Sequence, residues 1–371
     1  MKLLKGALAF VAIVFFGTII LGVATGGSRS PGNNEDAPTP AAVETQTASP
    51  QKSDVMTPTG TIAEEQAEVE STTSLYGIED VNADGRQMVL GDKGLDKSGA
   101  VVCLPYVKRT SAIPTALGPV DDKVGAGNEV ILGYFEFFND GEKTIKVRPD
   151  DITCYADGVQ VSAPDTFIKI ESDGVKQFYS ADLMSGTKVI SVQEFVVPMG
   201  WNELKFFATD NCVWTVTQND VTTADYNLAS VFPTPVYDVT PAGSVIYSGD
   251  YDLIFDGMKY YTKDNMISDG QYLICKFQIK NTGSSALDME LVGHSMKAYI
   301  DGCFNDDQDF TLGDNIDGYT NVFDVDSIAP GMTSNIYVAF DILSRPENAL
   351  IQYDDGYIFS GNVCYAYAHV D

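Results

Sequence analysis

The feature that most constrains the fold is a repeat inside the chain. VILGYFEFFNDGEKT (130–144) resembles YLICKFQIKNTGSSA (272–286), setting Phe135 against Phe277, Asn139 against Asn281 and Gly141 against Gly283. Further on, Tyr155-Ala-Asp-Gly158 answers Tyr299-Ile-Asp-Gly302. SGTKVISVQEFVVPMGWNELKFF then answers PGMTSNIYVAFDILSRPENALIQY, with Asn202 and Leu204 against Asn348 and Leu350. The offsets are 142, 144 and 146, so the order holds and only short insertions intervene. A chain that repeats its turns in the same order builds one architecture twice.

The shared residues identify that architecture. Asn-x-Gly and Asp-Gly supply positive φ where one strand turns into the next. Phe135 and Phe137, like Phe277 and Ile279, fall on one strand face by period two, and that face is expected to be core. From Leu75 onward short alternating apolar runs are broken by Gly, Asn and Asp, with no long amphipathic helical pattern, which makes the fold class all-β. FPTPVYDVTPAG, with Pro233, Pro235 and Pro241, separates the copies. The expected division is a β-sandwich over 75–230, a Pro-rich linker over 231–242 and a second β-sandwich over 243–371.

The N-terminus has a different texture. Lys2 and Lys5 precede an uncharged apolar run from Gly6 to Thr25, long enough as a helix to span about 30 Å. Residues 1–25 therefore read as a membrane anchor, or as a signal peptide cleaved near Gly22 and Ala24, with everything after it exported. Residues 26–74 are dense in Pro, Thr, Ser and Glu and read as a disordered stalk. Cys103 is the first cysteine, so a lipid-modified cysteine next to the leader is excluded. The six cysteines fall three to each half, an odd number on each side. Export permits disulfides and a core permits free thiols; spacing alone leaves both open.

A strand ending in Asn-x-Gly, a Y-x-D-G turn, a Pro-Gly or Ser-Gly turn before a strand, and a closing strand after Asn-x-Leu together resemble a known family. They resemble the immunoglobulin-like domains of unknown function in exported and lipid-anchored proteins of Gram-positive bacteria, similar in fold to the mycobacterial immunoprotective extracellular protein. The resemblance covers roughly 100–217 and 244–371. Repeat 1 has Ser185-Gly186 where Pro-Gly is usual, and repeat 2 stretches the segment from Phe340 to Pro346. The resemblance implies two tandem immunoglobulin-like β-sandwiches, export and an interaction role. It transfers no catalytic residue.

Acidic residues outnumber basic ones by 52 to 23, a net charge of −29, which repels phosphate backbones and argues against nucleic-acid binding. The most suggestive motif is DVNADG, in which Asp80, Asn82 and Asp84 occupy positions 1, 3 and 5 of a calcium loop and Gly85 position 6. Position 12, which needs a bidentate acid, is Gly91. The stretch thus reads as a polar turn with weak calcium affinity at most. NDDQDFTLGDNIDG (305–318) has Phe310 where glycine is needed and Ile316 where the acid is needed, and reads as a solvated loop.

Catalysis finds little support. His294 and His369 are the only histidines, and neither sits in a recognisable nucleophile or metal motif. No cofactor is expected. Trp201, in the turn after Pro198-Met199-Gly200, is the ligand-stacking candidate; Trp214 reads as core; and adjacent Tyr260 and Tyr261 must face opposite ways, which puts one outside. The expectation is a non-catalytic binding or adhesion module at a Gram-positive cell surface. Its ligand would be a protein or glycan of the envelope, and its membrane contact the N-terminal helix. The alternatives are a glycan-binding module serving a surface enzyme and a glycoside-active enzyme.

Overall fold

The computed structural model describes residues 74–371 apart from 83, 85, 162, 164–167, 210–211, 228, 264–269 and 356–362. The expected leader and the stalk up to residue 73 lie outside these residues. No helix among the described residues is long and apolar enough to cross a membrane. Of the described residues 51 % are strand and 4 % helix, as period-two apolar runs require.

Seven principal strands form in each half. In the first they are β1 (Val101–Thr110), β2 (Asn128–Phe138), β3 (Thr153–Ala156), β4 (Val159–Val161), β5 (Lys188–Pro198), β6 (Glu203–Thr209) and β7 (Cys212–Thr217). In the second they are β8 (Tyr251–Thr262), β9 (Gln271–Asn281), β10 (Met296–Ile300), β11 (Cys303–Asn305), β12 (Thr333–Asp341), β13 (Asn348–Asp354) and β14 (Val363–His369). β1-β2-β5 and β8-β9-β12 are antiparallel ladders. Each packs against a second ladder, β7-β6-β3-β4 in the first half and β14-β13-β10-β11 in the second.

The cores lie between these ladders. Phe135, Phe137, Phe195, Phe206 and Trp214 are buried together in the first half, and Phe255, Phe277, Ile279, Val338 and Ile351 in the second. The period-two expectation for Phe135, Phe137, Phe277 and Ile279 is met. Burying each such side chain contributes roughly 1.5–3 kcal/mol.

The outer faces of β2 and β9 are covered too. Tyr134, Leu132 and Val192 lie under Ile113, Ile170 and Tyr226, while Tyr272, Ile274 and Tyr337 lie under Leu312 and Ile316. The 305–318 stretch is therefore not a solvated loop. Its Leu312 and Ile316 are core residues, and the Tyr337 hydroxyl donates to the Asp314 carbonyl at 3.0 Å. The acidic side chains of the stretch stay exposed or half-buried while Leu312 and Ile316 turn down onto the sheet.

Register differs in one place from the sequence alignment. Leu204 pairs with Ala156 and Ala349 with Ile300, while Lys205 pairs with Tyr155 and Leu350 with Tyr299. Leu204 thus occupies the place of Ala349, one residue from Leu350. A one-residue shift exchanges strand faces, so Leu350 points away from the second half's core and joins the first half's apolar cluster.

The two halves share one sheet. β5 runs parallel to β11 at Lys188 and Cys303, and the Lys188 N–H donates to the Gly302 carbonyl at 3.0 Å. Among the described residues a nine-stranded sheet results, and those from residue 74 onward form one compact unit. The segment between the halves is also packed. The Phe232 ring stacks on Phe138 at 5.2 Å, and the Tyr237 hydroxyl donates to the Ser185 carbonyl at 2.9 Å.

Candidate functional site

The junction of the halves holds a cleft of about 460 Å³. A cavity of that size suits a small ligand or the tip of a larger one. The cleft is built from below by a hairpin, Glu171–Ser172 paired with Val175–Lys176. Asp173 (φ 54°) and Gly174 (φ 75°) make its tight turn, the left-handed geometry that two-residue hairpin loops demand.

Asp173 also anchors the hairpin. Its carboxylate accepts from the Lys108 ammonium at 2.7 and 2.8 Å, the Tyr134 hydroxyl at 2.6 Å and the Tyr226 N–H at 3.1 Å. Burial would raise this carboxyl, but Lys108 and Tyr134 outweigh it and hold it below the usual carboxylate range. The rings of Tyr134 and Tyr226 stack behind it at 4.6 Å.

The anchored hairpin delivers Lys176 into the cleft. Its ammonium lies 2.9 Å from Asp307 and 3.9 Å from Asp341, both from the second half, and Lys169 adds a contact to Asp307 at 3.6 Å. Burial works against the charge on Lys176, yet these carboxylates raise its pKa. A smaller recess of about 260 Å³ adjoins and shares Lys176, Asp307 and Asp341.

Lys188 forms the deep end. It is only 3 % exposed, and its ammonium donates to the Phe232 carbonyl and the Thr234 hydroxyl, both at 3.3 Å. Among the described residues no carboxylate lies within ion-pair distance of it. Burial lowers its pKa, against the pull of Cys303, Glu136 and Asp301. Phe178, Phe232 and Phe304 supply apolar walls. Glu136 holds the covering segment in place, accepting from Tyr226 at 3.1 Å, Ser230 at 2.7 Å and the Val231 N–H at 3.1 Å.

The cleft's one thiol, Cys303, is pushed up to about 11, first by burial, with Lys188 pulling the other way. It is a neutral thiol at physiological pH and a poor nucleophile. Cys103, Cys154, Cys212 and Cys275 are buried, and Cys303 and Cys364 are partly so.

The residues singled out from sequence lie elsewhere. Asp80 takes a left-handed φ of 59°, the Asn82 side chain accepts from the Asp84 N–H at 3.1 Å, and the Asp84 carboxylate sits 3.2 Å from Arg86. Gly85 lies outside the described residues. Among the described residues no group of three or more His, Cys, Asp or Glu is placed to hold a metal ion.

Trp201 is not an exposed platform. Its ring is buried with Leu204 and Phe206, and its indole N–H donates to Glu129 at 2.8 Å. Met199 projects from the turn in its place. Trp214 is core, with its N–H on the Asp92 carbonyl at 3.1 Å. Tyr260 and Tyr261 do face opposite ways, but each is packed against a different apolar cluster. His294 packs beside Phe310 and Phe323, and His369 meets Asn348.

Sequence reasoning missed the cleft because its charged residues come from distant segments. Asp307 lies in the acidic run 305–318, and Lys188 opens a strand that is apolar over its next two residues, Val189 and Ile190, a weak signal at a strand end. Nothing local marks Lys176.

No family model matches the chain, and no curated protein matches it. Among the solved structures similar over part of it are two from Bacillus subtilis, both 16 % identical. One, a lipoprotein candidate (ycdA), matches over 33 % of this chain and 37 % of its own length with a TM-score of 0.26. The other, the yjhA protein, matches over 33 % and 78 % with a TM-score of 0.23. This chain thus spans little more than a third of the first protein. Scores at this level leave function and location to the residues themselves.

Proposed function

We propose that this chain is a non-catalytic extracellular binding or adhesion module, two tandem immunoglobulin-like β-sandwiches held at a Gram-positive cell surface by the N-terminal leader. The junction cleft carries the reading. It sets a buried cation, Lys188, and a networked one, Lys176, among three phenylalanines, Phe304 on a strand and Phe178 and Phe232 in the segments packed beside it, an arrangement suited to gripping an acidic, partly apolar group of a protein ligand. The tandem assignment rests on matched hydrogen bonds. Asn139 and Asn281 make the same set, and Asp157 and Asp301 each accept from the backbone that opens the closing strand, at 3.0 and 2.9 Å. The leader's charge pattern supports export.

Binding of the full chain to envelope proteins and to a glycan array tests this. The expected result is saturable protein binding that Lys176→Gln weakens at least tenfold while the variant keeps a cooperative melt and the parent's circular dichroism. Binding confined to the glycan array would favour the glycan-binding alternative. No binding, or binding indifferent to Lys176, would remove the cleft from the proposal.

A further inference from the structure

The two halves use one sheet face differently. In the second half the outward face of β10, β13 and β14 is buried: Tyr299 is 0 %, Leu350 1 %, Gln352 2 % and Tyr367 5 % exposed. This face docks on the first half. Lys297 pairs with the Asp182 carboxylate, the Tyr299 hydroxyl donates to the Asp182 carbonyl, and the Phe304 ring meets Phe178 edge-on at 5.8 Å.

Strand pairing fixes the counterparts in the first half. Tyr155 pairs with Lys205 as Tyr299 does with Leu350, and Thr153 pairs with Phe207 as Lys297 does with Gln352. Tyr155, Lys205 and Phe207 are only half-buried, and the Phe207 and Tyr155 rings meet at 5.1 Å. A groove runs beside them, walled by Arg86 and Val89. Val159, the counterpart of Cys303, is 68 % exposed.

The docking element also has a counterpart. Asn139 reads the Leu183 carbonyl and Asn281 the Ile328 carbonyl, so Ser327 stands where Asp182 does and Thr333 where Lys188 does. Ser327 and Thr333 are exposed, with acidic Asp324 and Asp326 beside them. Each molecule therefore presents counterparts of both sides of an interface that it makes once internally, the β12 edge being open at Thr333 and covered farther on, at Ile336 and Tyr337, by the parallel strand Thr320–Asn321.

We propose that the first-half face around Tyr155, Lys205 and Phe207 is a docking surface for a second copy of this chain, which inserts its 326–333 end as the first half's 181–188 end inserts against the second. The inference rests on the tandem reading. The contact is heterologous, so it propagates head to tail. Arg86 and Lys205 lie on this face, each with a carboxylate of its own beside it, Asp84 at 3.2 Å and Glu203 at 3.0 Å, and the inserted end carries Asp324 and Asp326, so the contact would share these two cations between carboxylates of both copies. Sheet continuity pairs Val159 of one copy with Thr333 of the next, as Lys188 pairs with Cys303.

Mixing two full-length variants tests the geometry. Val159→Cys and Thr333→Cys chains, combined under mild oxidation, should yield a covalent dimer at least fivefold above either variant alone and above a Val245→Cys control. Adding Phe207→Asp to the Val159→Cys chain should remove that excess while circular dichroism stays unchanged. Sedimentation should show the unmodified chain's mass rising with concentration, and Lys205→Glu should suppress the rise. No excess cross-linking, or association that survives both Phe207→Asp and Lys205→Glu, overturns the proposal. No envelope ligand enters these measurements, so a failed ligand screen leaves them standing.

Discussion

Asn139 and Asn281 sit at the ends of β2 and β9 and make the same three hydrogen bonds. Each amide N–H₂ donates forward to a carbonyl four residues on, Lys143 or Ser285, at 2.8 Å, and across to Leu183 at 2.8 Å or Ile328 at 2.7 Å. Each side-chain oxygen accepts from the glycine two residues later, Gly141 at 2.9 Å or Gly283 at 3.0 Å. Asparagine alone offers two donors and an acceptor in this small compass.

Replacing either asparagine should therefore weaken its half. Asn281→Ala leaves a buried carbonyl at Ile328 without its donor, and the expected loss is about 3 kcal/mol from several broken bonds. Urea melts should show it, with Asn139→Ala comparable. A loss under 1 kcal/mol at both positions would mean that the turns hold themselves.

Glu194 predicts a pH dependence. It is buried, and burial pushes its carboxyl up to about 7 from an ordinary 4.5. As pH rises from 4.5 to 7 the unfolded chain gives up this proton first. The folded state binds more protons in that window, so stability falls as pH rises. The contribution is whole below 4.5 and lost through about 7, up to about 3 kcal/mol. Glu194→Gln should flatten the profile and melt higher than the parent at pH 8.

Asp173 gives the opposite sign. Its folded carboxyl is held low despite burial, so its contribution is present above the ordinary carboxylate range and lost as pH falls through the folded value. Asp173→Asn should cost about 1–2 kcal/mol at pH 7, because half-buried Lys108 keeps only exposed Asp225, at 3.0 Å, as a charged partner. It should also weaken any ligand of the cleft by loosening the hairpin under Lys176. Unchanged ligand affinity would separate the hairpin from the cleft.

Residues 243–371 contain a full apolar cluster of their own and should fold alone as a β unit with a cooperative melt. Freed of the first half, the fragment exposes Tyr299, Phe304, Leu350 and Tyr367. It should bind a hydrophobic dye that the intact chain does not bind. Dominant helix, or no melt, would contradict the first expectation.

Calcium titration addresses DVNADG. Asp80, Asn82 and Asp84 provide too few oxygens for a tight site, and Arg86 already engages Asp84. Calorimetry should find no stoichiometric micromolar site. One abolished by Asp84→Ala would overturn this.

What the chain order alone determined is whatever depends on neighbours. Period-two apolar residues made Phe135 and Phe277 core, and Asn-x-Gly and Asp-Gly marked the turns, because strand faces and positive φ are local properties. Tertiary structure decided the rest. Trp201 follows a turn, yet Glu129 on another strand captures its indole, and a turn residue's exposure depends on what lies across from it. Leu204 and Leu350 look alike in sequence, yet the pairing of Lys205 with Tyr155 sets Leu350 on the face that joins the halves. Leu312 and Ile316 are core because a bare sheet face lies beneath their loop. The cleft brings Lys176 to Asp307 and Lys188 to Phe232 across long stretches of chain, and no local pattern encodes a meeting made by the packing of two halves.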